Sequence, residues 1–217
     1  MQTRETVSAK DKMTASAVMN PALLEDFEAP AFSYDFECVG PREECRLEYL
    51  EMKAEISMLR AMGGSAERIM KLEEESTKML EVKWRESIHN LVTTVGKTDI
   101  VDKYFKGSTY TAAWYMGLCG AGTKAVGDTL ASHAGWTEQT PYSGNRPAIT
   151  FGTTSAGSNT GTAVSYSITG SATVAGAFIA SVNTGTSGTL YSAGDFAASR
   201  TVASGDTLNV TPTVSAS

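Results

Sequence analysis

The sequence predicts an α+β chain: an extended or disordered anchoring arm over residues 1–40, a short helical segment (hairpin or coiled coil) over 41–91 and an antiparallel β-sandwich domain over 92–217. Two observations carry that expectation. Charge is concentrated at the front, where residues 1–90 hold 18 acids and 12 bases while residues 91–217 hold six of each. The spacing of apolar residues changes at nearly the same place, from threes and fours to alternation. With 217 residues, 41% of them hydrophobic, the chain is long and apolar enough to bury a core.

The arm contains "LLEDFEAPAFSYDFE", which mixes Leu23, Leu24, Phe27, Phe32, Tyr34 and Phe36 with carboxylates and two prolines. A purely solvating tail has little use for so many large apolar groups. Phe27, Phe32, Tyr34 and Phe36 are therefore expected to insert into pockets on a partner. Pro41 is suited to the first position of a helix. Beyond it Cys45, Tyr49, Met52, Ile56 and Leu59 follow a 4-3-4-3 spacing that aligns them on one face. Tyr49, Met52, Ile56 and Leu59 are the expected oligomerisation stripe of a dimer or trimer. Gly63 and Gly64 interrupt the run and Ser65 is a candidate N-cap. Ile69, Leu72, Ser76 and Met79 continue one seam of a second helix, and Leu80, Trp84, Ile88 and Leu91 form another. A helical hairpin or two short coiled-coil segments would satisfy this pattern.

In the last region a short helix is expected at "TDIVDKYFKG" with Thr98 as its cap. Alternation then sets in at Tyr110 to Leu118, Val164 to Ile168 and Leu208 to Val214, which places one face in a core and one in water. The turn-formers "SAGSNTG", "NTGTSG", "SAGD" and "ASGD" separate the runs. "SATVAGAFIASVNTGTSGTLYSAGDF" reads as strand, turn, short strand and turn. Val174, Phe178, Ala180 and Val182 fall on one side of its strand and Ala175, Ala177 and Ile179 on the other, so that strand is expected to be buried on both faces.

Motifs for chemistry are weak. "GLCGAGTKAVGDT" places Thr123 and Lys124 after Gly122, the wrong order for a phosphate loop, and lacks the third glycine of a dinucleotide fingerprint. His89 and His133 have no partners at ligand spacing, so no metal or other cofactor is expected. Asp128, Glu138, Asp195 and Asp206 include no pair singled out for glycoside cleavage, and Ser132 beside His133 has no nucleophile elbow around it. The net charge of −6 argues against nucleic acid, and no apolar run approaches the length of a membrane span. Cys38, Cys45 and Cys119 are odd in number and far apart, which suits a reducing cytosol better than a disulfide framework. Tyr110, Trp114, Tyr115, Trp136 and Tyr142 could stack on sugars, though most are expected in packing.

Four blocks carry a resemblance: "VTTVGKTDIVDKYFKGSTYTAAWYMGL", "DTLASHAGWTE", "GAFIASVNTGTSGTLYSAGDF" and "TVASGDTLNVT". In this order, over about residues 91–217, they resemble a small β-rich module of tailed-bacteriophage structural proteins. The resemblance implies a virion protein without catalytic residues: a capsid decoration (cement) or head-fibre protein bound to the major capsid protein or another virion protein. It would be made in the host bacterial cytoplasm. The alternatives are a tail fibre or collar component touching the host surface, with Trp114, Tyr115, Trp136 and Tyr142 as glycan contacts, and, further off, a carbohydrate-active hydrolase.

Overall fold

A computed structural model describes residues 31–110 and 112–215. Strand β1, Ala31–Pro41, opens it and is followed by a 3-10 turn at Glu43–Cys45 and helices α1, Arg46–Ala61, and α2, Ala66–Lys78. Strand β2, Leu80–Val92, and helix α3, Thr94–Tyr104, come next. The remaining strands are β3 Tyr115–Cys119, β4 Glu138–Gln139, β5 Ser158–Thr160, β6 Val164–Ser167, β7 Ala172–Ala180, β8 Leu190–Val202 and β9 Thr207–Ser215. They form one nine-stranded sheet in the order β4-β3-β7-β8-β2-β1-β9-β5, with β6 also on β9. The pairings between these strands are antiparallel. The chain is thus α+β and mainly antiparallel sheet.

The front of the chain departs from expectation. Residues 31–40 are no arm: β1 lies between β2 and β9. Phe32, Tyr34, Phe36 and Cys38 alternate with Ser33, Asp35 and Glu37, and the first set is buried. The second set faces outward, where Glu37 pairs with Arg85 and Asp35 accepts a hydrogen bond from Ser87, both across the β1–β2 ladder. The expected second helix also stops early. α2 ends at Lys78, and Leu80, Trp84, Ile88 and Leu91 belong to β2: the first three pair with β1 and Leu91 pairs with Ala193 of β8. The three-part division is redrawn accordingly: one sheet, with a helical hairpin inserted between its first two strands.

The hairpin accounts for the heptad stripe. Tyr49 and Ile56 are buried, Met52 and Leu59 half-buried, and Leu72 and Ser76 on α2 are buried as well. Arg68 pairs with Glu55 at 2.9 Å and Arg60 with Glu73, linking the two helices. Ser65 caps α2 as expected, accepting from the Arg68 N–H. Helix α3 begins five residues before its expected start. Thr93 is its cap, accepting from the Gly96 N–H at 3.1 Å, while Thr98 lies inside the helix and donates to the Thr94 carbonyl.

The main apolar cluster draws Phe32, Tyr34 and Phe36 from β1, Leu208 and Val210 from β9, Met116 and Leu118 from β3 and Ile179 from β7. Two hydrogen bonds cross it. Tyr34 Oη and Ser192 Oγ are 2.5 Å apart, and Tyr166 Oη donates to the Met116 carbonyl at 2.8 Å. Each large side chain fully buried here contributes about 1.5–3 kcal/mol. β7 is covered on both faces as expected, but with changed membership. An irregularity between Val174 and Gly176 puts Val174 with Ala177 and Ile179 in the main cluster. Phe178 and Ala180 face a second cluster with Cys119, Leu130, Trp136 and Leu190. "SAGD" is not a turn but part of β8; a Cβ on Gly176 of β7 would overlap the Gly194 carbonyl of β8, so this close strand approach requires glycine on β7.

Candidate functional site

His89 is exposed on β2, while most other polar groups considered for chemistry are held in local structure. Asp128 accepts from Trp136 Nε1 at 2.8 Å and from the Ala125 N–H at 3.0 Å. Glu138 receives both arms of Arg146 at 2.7 Å, and that guanidinium also donates to the carbonyls of Val182 and Gly185, tying down the Asn183–Gly188 loop. Lys124 reaches Asp195 at 2.6 Å and the carbonyls of Gly120 and Gly122. The glycine loop therefore turns acceptors toward a cation, the reverse of a phosphate cradle. His133 stacks on Trp136 at 4.0 Å between ring centres, with Nδ1 3.0 Å from the Trp136 carbonyl. Among the described residues no three His, Cys, Asp or Glu converge as metal ligands. No described helix is long and apolar enough to cross a membrane.

Asp206 forms the densest polar constellation. It lies in the β8–β9 turn with a side chain 1% exposed, 3.3 Å from Arg46 of α1 and 3.0 Å from Lys83 of β2. Its other oxygen accepts from the Ala203 N–H at 2.9 Å, and Arg46 also donates to the Ser204 carbonyl at 2.7 Å. The Cys38 thiol, 4.0 Å away, is pushed up to about 12 by burial and then by the Asp206 charge. Gly40 lets this carboxylate in, because a Cβ there would overlap it. The constellation fixes the base of the helical hairpin to the sheet.

The residues expected to bind partners are distributed differently. Phe32, Tyr34 and Phe36 are at most 2% exposed and cannot enter a partner's pocket; Phe27 lies outside the described residues. Tyr49 and Ile56 are buried inside the protomer, so the stripe of Tyr49, Met52, Ile56 and Leu59 is not an open seam. Of the four candidate glycan contacts Trp136 and Tyr142 are buried and Trp114 and Tyr115 half-buried.

Two other apolar surfaces are exposed instead. On the hairpin they are Leu47, Met58, Met62 and Met70, with Met62 77% exposed near the tip. Around α3 they are Val101, Tyr104, Phe105 and Tyr110, with Tyr104 and Phe105 in edge contact. The hairpin leaves from the Pro41 end of β1, and α3 follows the end of β2 that pairs with Phe32. The points where these two elements leave the sheet are therefore separated by the length of an 11-residue strand, about 33 Å at the rise of an extended chain. The sequence carried a signal for the first, since Met58 and Met62 stand off the heptad stripe, and none for the second, because Ile100, Val101, Tyr104 and Phe105 fit a single apolar helix face. Comparison with known protein families, curated proteins and solved structures finds no match to this chain.

Proposed function

We propose that the chain is a bacteriophage virion structural protein, a capsid decoration (cement) or head-fibre protein that binds the capsid surface and stabilises it. The observation carrying this reading is the helical hairpin, whose base is pinned by Asp206 and whose two helices leave Leu47, Met58, Met62 and Met70 exposed to solvent. Flexible thioether side chains adapt to a partner surface, and modest apolar burial repeated over many copies adds up across a shell. The sheet, read here as a β-sandwich because Tyr34–Ser192 and Tyr166–Met116 link its two halves through one core, forms the body. Self-association as a dimer or trimer falls to the outer hairpin face, since Tyr49 and Ile56 are occupied within the protomer.

Co-sedimentation with expanded shells built from the major capsid protein tests this. The full chain should pellet with the shells, and M58E/M62E/M70E should weaken binding at least tenfold without changing the circular dichroism spectrum. Equal pelleting of variant and parent would overturn the assignment of the hairpin. The tail-fibre or collar reading is favoured by the exposed aromatics Tyr104, Phe105 and Tyr110. Under it the protein should bind host cells, and substituting those three residues should abolish that binding.

A further inference from the structure

At the α3 end of the sheet lies a groove of about 390 Å³ walled by Phe32, Ile100, Tyr110, Trp114, Phe151 and Val214. Trp114 anchors it from beneath, its ring 4.2 Å from that of Tyr191 and 6.1 Å from that of Phe151. A hollow along α3 continues it past Ile100, Lys103 and Tyr104. The groove stands where the chain enters the sheet. Phe32 is the second residue of β1, Ala31 pairs with Ser215, and Val214 and Ser215 border the groove. Directly ahead of Ala31 in sequence is "PALLEDFEAP", residues 21–30.

We propose that this groove is the docking site of the chain's own segment 21–29, with Phe27 placed among Tyr110, Trp114 and Phe151 and with Leu23 and Leu24 along Ile100 and Tyr104. Reach permits it. Phe27 is four residues from Ala31, and extended chain advances about 3.3–3.6 Å per residue, so Phe27 can sit about 13 Å from the strand end and Leu23 about twice as far. Pro30 has no N–H with which to prolong the β1 ladder, so the chain ahead of the strand is free to leave the sheet at the groove. The chemistry also matches: aromatic walls accept an aromatic ring edge to face, and the leucines suit the aliphatic and aromatic continuation along α3. Lys103 borders the hollow beside Asp99, 4.0 Å away, and donates to the Thr109 carbonyl at 2.6 Å, so the docking rests on apolar contact and not on charge. A tether of so few residues holds the segment at high effective concentration, which favours it over a free ligand or a second copy. The docking does not depend on the virion assignment.

Hydrogen–deuterium exchange on the full chain tests the proposal. Amides of residues 21–29 should exchange at least tenfold more slowly than in the isolated peptide, equally at all protein concentrations. L23S/L24S/F27S should speed exchange at least fivefold over 21–29 and 100–114 and leave β7 unchanged. The reciprocal variant Tyr110→Ser should speed exchange over 21–29, and it decides the matter if the triple variant disturbs β7. Exchange of 21–29 at the peptide rate would overturn the proposal. So would protection lost on dilution, which would assign the groove to a second copy, or protection gained only when an external partner is added.

Discussion

At the scale of single residues, Asp206 joins parts of the chain that lie far apart in sequence. Its carboxylate is buried between two cations, one from α1 and one from β2. Removing one partner of such a buried set leaves charge without compensation. Asp206→Ala should therefore destabilise the protein by about 3 kcal/mol in urea unfolding and loosen α1 first. A change below half that size would mean water replaces the carboxylate. Little of this was legible in the sequence. Asp206 follows Gly205 in "ASGD", a context in which aspartate is common for backbone reasons, and neither Arg46 nor Lys83 stands near it in the chain. Ion pairs between distant residues leave no periodic trace. Tyr34 and Phe36 are a different matter, since with Phe32 and Cys38 they show a clear period of two. The acidic, proline-bearing residues before it mask that run in the sequence.

Among the elements, β6 and β9 were legible because alternation marks a strand wherever one face is polar, and β7 because a short run apolar on both faces belongs inside. β2 was not. Leu80, Trp84, Ile88 and Leu91 fit helical spacing, yet Leu80, Val82, Trp84, Ile88 and Val92 fit a strand equally, and the many charges suggested a helix surface. Pairing with β1 decides between the two periods, and such a pairing is a tertiary fact. The position of β1 between two partners leads to a sharp expectation for truncation. A chain starting at Ala31 should keep cooperative thermal unfolding, whereas one starting at Arg42 should lose it, because both ladders of β1 and its five buried side chains are gone. Cooperative unfolding of the shorter chain would show that β2 and β9 can close the gap.

For the whole molecule, the buried tyrosines and thiols tie stability to alkaline pH. Burial raises Tyr142 from 10.0 to about 12, and Cys119 from 9.0 to about 12. Tyr34 and Tyr166 are raised further, again by burial first. In the unfolded chain these groups lose their protons near their ordinary values, so above about pH 9 the unfolded state binds fewer protons than the native one. Stability is complete below that point and is lost as pH climbs through 12. The urea midpoint should fall steadily from pH 9 to 12, and a flat midpoint across that range would contradict the burial. The same architecture has a mechanical consequence. A pull on the tip of the α1–α2 hairpin would load the Pro41–Leu80 end of the β1–β2 ladder in a peeling direction, in which hydrogen bonds yield one after another. Arg46 and Lys83, gripping Asp206 of the β8–β9 turn, divert that load into a second pair of strands. The hairpin is thus a lever with a riveted root, and a protein that must hold under tension would give way first at that rivet.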